Sequence, residues 1–149
     1  MAPEPPSVEL AEITPELHEA CLALEVEAEQ RRFVSPVADY LRLCDRPGSP
    51  WQPFVVLRHG EVVGFVMHGV DPVDDSAWIG GLVIDRAHQR RGIGRTVVEL
   101  LIARATEHGR PSALSYEPGN AKARTLYARA GFVETGETED DEIVARRLL

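Results

Sequence analysis

The sequence predicts a single mixed α/β domain spanning residues 1–149, with one twisted, mostly antiparallel sheet of about six or seven strands and four helices. Three observations predict it. The chain is long enough to bury one core. Its apolar spacing changes several times between the period of a strand and that of a helix. Turn and cap residues stand at nearly every change.

Val8 to Ile13 alternates apolar and polar side chains, as a half-buried strand does. Thr14-Pro15-Glu16 reads as a cap, a proline in the first turn and an acidic start, so a helix is expected to about Val26. Glu25 to Arg32 is charged and reads as loop or frayed helix. Ser35-Pro36 repeats the cap signal and opens a short helix to about Cys44, and Arg46 to Pro50 is a loop. Phe54–Leu57 and Val62–Val70 form a hairpin around Arg58-His59-Gly60-Glu61. After the Asp71–Asp75 turn, Ala77–Ile84 is the central strand. Its internal Gly80-Gly81 marks either a bulge or tight packing against a neighbour. Ile93 to about His108 is a strongly apolar helix stopped by Gly109 and Pro111. Ser112–Tyr116 is a further strand. Asn120 caps a helix to Ala130 with Gly131 behind it. Phe132–Thr135 and Ile143–Leu148 close the sheet around an acidic turn.

Composition removes several functional classes. Met1–Pro6 has neither a basic nor an apolar region; it reads as a short frayed tail rather than a signal peptide. No apolar run is long enough to span a membrane. Cys21 and Cys44 make no disulfide framework and read as small buried apolar residues, and cytoplasm is the default compartment. His18, His59, His68, His88 and His108 lack metal-ligand spacing, so no metal is expected. Charge is uneven: residues 1–78 hold 14 acids and 5 bases, 79–133 hold 4 and 9, and 134–149 hold 6 and 2. A positive middle between negative flanks suits two ligands of opposite sign, or is scatter on solvated faces. The basic stretch is short and concentrated in one turn, which argues against a nucleic-acid partner.

That turn follows the central strand. Gln89-Arg90-Arg91-Gly92-Ile93-Gly94-Arg95 leads straight into the apolar helix. A strand ending against a helix start gathers free backbone N–H groups and the positive end of the helix dipole at one spot, which suits a diphosphate. The glycines admit close approach, and Arg90, Arg91 and Arg95 add charge. A Walker loop is excluded, because no G-x-x-x-x-G-K-[S/T] occurs. A dinucleotide fingerprint fits poorly with two glycines placed late in the chain. A strand-to-helix turn without a ligand is the remaining plain alternative.

Gln89-x-x-Gly92-x-Gly94 resembles the acyl-CoA diphosphate loop of the GCN5-related N-acetyltransferases, and Asn120 to Phe132 (Asn-x-x-Ala-x-x-Leu-Tyr-x-x-x-Gly-Phe) resembles that superfamily's second signature. The resemblance covers most of the chain. It implies acetyl-CoA as cosubstrate, bound at Gln89 to Arg95, and a central strand splayed from its neighbour. The pantetheine would lie against the backbone of Leu82, Val83 and Ile84. One N–H there would polarise the thioester, a contribution of about 2.7–4 kcal/mol. It also implies a cofactor contact for Asn120 beside its cap role, and a place for the Tyr127 hydroxyl near the CoA sulfur. An amphipathic core tyrosine is the alternative for Tyr127.

Direct transfer needs an uncharged amine, which for an alkyl amine costs roughly 4–5 kcal/mol at neutral pH. Carboxylates attract the cation and can take its proton. Two acidic clusters are candidates: Glu25, Glu27 and Glu29, and Glu137, Glu139, Asp140, Asp141 and Glu142. Leu24-Glu25-Val26, Gln30, Phe33-Val34, Val63–Met67, Ser115–Pro118 with Asn120, and Thr135–Glu137 with Glu142–Val144 resemble the bacterial spermidine/spermine N-acetyltransferases. This implies a small polycationic amine as acceptor. Some such enzymes carry an acidic pair where this chain has Gly80 and Gly81, so the second carboxylate must come from elsewhere. Glu25 and Glu142 are the first choices, with a hydrated charge run as the bland reading for each. No nucleophile sits beside a base at a recognisable turn, so direct attack fits better than an acyl-enzyme. Another amine (a protein N-terminus, an amino acid, an aminoglycoside) and a non-catalytic CoA sensor are the rival functions. Related enzymes often dimerise, and a homodimer is carried as an expectation.

Overall fold

The computed structural model describes residues 7–149; the tail read at Met1–Pro6 lies outside the described residues. The elements are β1 (Glu9–Glu12), α1 (Pro15–Leu22), α2 (Val37–Asp45), β2 (Trp51–Arg58), β3 (Glu61–Val70), β4 (Ala77–Ile84), α3 (Ile93–Glu107), β5 (Ser112–Tyr116), α4 (Ala121–Arg129), β6 (Val133–Glu139) and β7 (Glu142–Arg147). Short 3₁₀ turns occupy Ala28–Gln30 and Arg86–His88. All seven strands join one sheet in the order β1-β2-β3-β4-β5-β7-β6. Among the described strands only β4 and β5 run parallel.

Strand alternation sends neighbouring side chains to opposite faces, and each face has its own core. Val56, Val63, Val97, Leu101, Leu114 and Phe132 pack with α3 and α4 on one side. Cys21, Val37, Val55, Phe65, Met67 and Val83 pack with α1 and α2 on the other. The result is helix, sheet, helix. No described helix is long and apolar enough to cross a membrane.

Several boundaries differ from the sequence reading. α1 stops at Leu22 rather than near Val26. The Glu25 N–H is taken by the Asp85 carboxylate at 3.0 Å, which draws the chain off the helix axis towards the end of β4. β2 begins at Trp51, three residues early, and contains Pro53. β1 reaches only as far as Phe54, so the outer side of β2 is unpaired at the proline. β6 runs on to Glu139, and β7 starts at Glu142 and ends at Arg147 rather than Leu148. The acidic run is therefore mostly ladder, closed by a two-residue turn with positive φ at Asp140 (49°) and Asp141 (66°). Tight hairpins of this hand require that conformation, and Asp tolerates it better than most residues. Glu139 and Glu142 end up directly paired across the strands, a like-charge contact that costs stability.

Two features of β4 shape the site. Gly81 has φ +58°, and the β3–β4 register slips beside it: Phe65 pairs with Val83 but Met67 with Gly80. That is one extra residue on β4, a bulge at the glycines. Beyond Ile79↔Leu114, β4 and β5 are no longer paired, and both strands continue apart.

Candidate functional site

The strand gap decides which backbone groups a ligand can reach. Asp85 donates its N–H to Val63 C=O at 2.9 Å, and Val83 lies opposite Phe65, so both point their polar groups at β3. Ile84 lies between them and turns its N–H and C=O the other way, into the gap; alternation puts Leu82 on the same side. Val83, expected at this backbone surface, is committed to the β3 ladder and its side chain is buried in the α1/α2 core. The Ile84 carbonyl already accepts Gln89 Nε2 at 2.9 Å, which leaves the Ile84 amide facing the gap together with the backbone of Leu82.

The turn after β4 is held by side chains on both sides. Asp85 accepts the Ala87 N–H at 3.2 Å and the Glu25 N–H at 3.0 Å. Arg90 (φ 64°) and Gly92 (φ 77°) are both left-handed, which bends the chain into α3. Gly92 occupies the cap position of α3 and supplies no side-chain cap. The first intrahelical amide bond there runs from Thr96 N–H to Gly92 C=O at 3.1 Å, so the N–H groups of Ile93, Gly94 and Arg95 have no partner within the helix. A Cβ added at Gly94 would meet nothing closer than 3.8 Å, so the protein's own packing leaves that approach open. Arg90, Arg95 and Lys122 border the same space.

These groups open onto a cavity of about 530 Å³. Leu82, Ile84, Gln89, Arg90, Gly92, Ile93, Gly94, Arg95, Asn120 and Tyr127 all line it, as does Glu142. Val83, Arg91 and Glu25 are absent from its walls. Asn120 Oδ1 accepts the Ala123 N–H at 3.2 Å, so the asparagine caps α4 and still faces the cavity.

Tyr127, on the inner face of α4, is wedged between Tyr116 at 5.8 Å and Phe132 at 6.1 Å between ring centres. Its hydroxyl has no hydrogen-bond partner among the described residues, and the half-buried ring lines the cavity. Burial pushes its pKa up to about 12, with Tyr40, Glu142 and Tyr116 adding to the effect. Tyr116 differs: its hydroxyl donates to Glu134 at 2.8 Å, and the same oxygen accepts Arg124 at 2.6 Å. Across the cavity, Ser115 Oγ donates to Glu142 Oε1 at 2.8 Å, which aims that carboxylate.

The first acidic cluster sits differently from expectation. Glu25 and Glu27 do not face an acceptor hollow; they pair with Arg86 (3.4 Å) and Arg90 (3.2 Å) of the turn. Gln30 accepts from Gln89 at 2.7 Å, and Lys122 donates to Gln89 at 3.2 Å. Gln89 thus links β4, the 3₁₀ segment and α4. The acids that do reach the cavity are Glu142, Glu139, Asp140 and Glu117. Sequence reasoning gave Trp51 and Tyr40 no role, yet both line the cavity beside Gly80 and Gly81. The glycine pair was the available signal, since a missing side chain on a strand can mean that a ring lies over it.

Residues 14–132 match the family model described as Acetyltransferase (GNAT) family. The chain is 26% identical to the spermine/spermidine N(1)-acetyltransferase of Bacillus subtilis (strain 168) over 144 residues, 89% of this chain and 92% of that one. It is 29% identical to the ribosomal protein bS18 alanine N-acetyltransferase of Escherichia coli (strain K12) over 107 residues, 71% and 70% of the two chains. Its fold is similar to the PaiA N-acetyltransferase of Thermoplasma acidophilum, solved in complex with coenzyme A. The TM-score is 0.72 at 13% identity, covering 96% of this chain and 99% of that one.

Proposed function

The chain belongs to the acetyltransferase (GNAT) family, and from that premise we propose that it transfers an acetyl group from acetyl-CoA to a primary amine of a small polycation, by direct attack within a ternary complex. The observation that carries this reading is the juxtaposition in one cavity of an open helix start bordered by three cations, a strand gap with a free amide, and a carboxylate aimed inward. The residues present fit acetyl-CoA. The amides of Ile93, Gly94 and Arg95, with Arg90, Arg95 and Lys122, match a diphosphate in charge and reach. The gap beside Leu82 and Ile84 admits an amide-bearing arm as an extra strand would be admitted.

Acetyl-CoA supplies the thioester, and the chain supplies polarisation, proton handling and orientation. The Ile84 N–H, facing the gap, is the donor for the oxyanion. Tyr127 presents a phenol that stays protonated across the working pH range. Glu142, oriented by Ser115, attracts the ammonium and accepts its proton on the way to attack. Glu139 and Asp140 at the rim hold the remaining positive charge of a polycation. Of Glu25 and Glu142, the two first choices from sequence, only Glu142 lines the cavity, and the proposed role rests on it; Glu25 pairs with Arg86.

The Bacillus subtilis relative supports a polyamine acceptor, and the Escherichia coli relative supports a protein N-terminus as the second reading. A thiol-release assay comparing spermine, spermidine and alanyl-terminated peptides separates them. Polyamine turnover well above peptide turnover is expected. Turnover confined to peptides would remove the polyamine, and acetyl-CoA binding with no turnover of any amine would make the protein a CoA sensor.

A further inference from the structure

A side chain at Gly80 or Gly81 would run into Trp51, Tyr40 and Met67. A Cβ on Gly80 would stand 2.9 Å from Trp51 Cη2 and 3.2 Å from Cζ3. A Cβ on Gly81 would stand 3.2 Å from Tyr40 Cγ, and Met67 Cε lies 3.4 and 3.1 Å from the two positions. Tyr40 is fixed twice: it stacks on Phe65 with ring centres 6.0 Å apart and planes 10° apart, and its hydroxyl accepts the Ser35 N–H at 2.9 Å. Phe33 also lines the cavity, with the Arg32 guanidinium over one face of its ring. It approaches within 3.8 Å of the position a Gly119 Cβ would take. The wall beside the bulge is therefore apolar and stiff, while the cavity's carboxylates belong to other elements: Glu117 after β5, and Glu139, Asp140 and Glu142 on the β6–β7 hairpin.

We propose that Trp51, Tyr40 and Phe33 form the specificity element of the acceptor site, a slot for the unbranched aliphatic chain that carries the reacting amine. The inference rests on the reading that the protein acetylates an amine, and it names which amines. A fixed ring wall covers methylene groups and gains from each one it removes from water. Ring faces also tolerate a second ammonium further along the chain. A short, compact or heavily hydroxylated amine covers none of this surface. The chain-bearing acceptor thus lies with its reacting nitrogen between Glu142 and the strand gap, and its alkyl body across the indole and phenol.

The test is kcat/KM at saturating acetyl-CoA for 1-aminoalkanes from propyl to heptyl and for the matching α,ω-diamines. Wild-type kcat/KM is expected to rise about fourfold per added methylene until the slot is filled. Trp51→Ala is expected to flatten that slope, while Tyr127→Phe lowers every member by a common factor and leaves the slope alone. A flat wild-type series with measurable turnover overturns the slot and leaves amine acetylation standing. An unchanged slope in a folded Trp51→Ala variant overturns the role of the indole. Absence of turnover for every amine and peptide removes the reaction itself, and the slot with it. The wild-type series alone decides the matter if the variant does not fold.

Discussion

Gly92→Val is expected to weaken acetyl-CoA binding at least 100-fold while the domain stays folded. Gly92 holds φ 77° where the chain turns into α3, a conformation that costs a side-chain-bearing residue roughly 1–2 kcal/mol and a β-branched one more. Valine relieves that strain by leaving the left-handed region. The peptide plane between Gly92 and Ile93 then rotates, and the first amides of α3 no longer converge. Each charge-assisted bond from such an amide to a phosphate contributes about 1.5–3 kcal/mol, so losing two accounts for a change of this size. Gly92 is exposed, and its replacement leaves the two cores untouched. Calorimetric titration of the variant, with circular dichroism to confirm folding, is the check. Affinity equal to wild type would show that the diphosphate is held elsewhere.

Tyr127→Phe is expected to lower kcat by roughly 10- to 100-fold with acetyl-CoA affinity unchanged. The ring keeps its seat between Tyr116 and Phe132, so only the hydroxyl is lost. A hydrogen bond to a developing thiolate contributes about 1.5–3 kcal/mol, which sets the range. The pKa refines the role. With the phenol pushed up to about 12 and a thiol near 8.5, full proton transfer from Tyr127 would be uphill by about 5 kcal/mol. On the proposed reading Tyr127 is expected to donate a hydrogen bond to the leaving sulfur, and the proton released by the amine balances the thiolate. A raised pKa keeps the phenol protonated to higher pH, so wild type and variant are expected to show parallel pH profiles from pH 7 to 10. An alkaline loss of activity near pH 10 that vanishes in the variant would contradict this, and so would unchanged kcat.

Much of this site was legible in the sequence because its signals are local. Gln89 to Gly94 announces a helix start with free amides, Asn120 announces a cap, and Gly80-Gly81 announces either a bulge or close packing; each depends on a few adjacent residues. What could not be read depends on partners far along the chain. The end of α1 is set by Asp85, sixty positions beyond Glu25. The commitment of Val83 to β3 follows from a register that a bulge shifts by one residue. The acids at Glu25 and Glu27 resembled an acceptor wall in composition, but the fold sets them against Arg86 and Arg90. Tyr40 and Trp51 reach the cavity from α2 and β2, neighbours in space and not in sequence.

The most direct measurement is a pair of titrations on the wild-type protein, one with acetyl-CoA and one with S-acetylpantetheine, which keeps the thioester and the arm but lacks the diphosphate and the phosphoadenosine beyond it. Saturable heat with acetyl-CoA, and binding at least 100-fold weaker for the truncated thioester, is the predicted result. Equal affinity for the two, or no heat with acetyl-CoA, would contradict it.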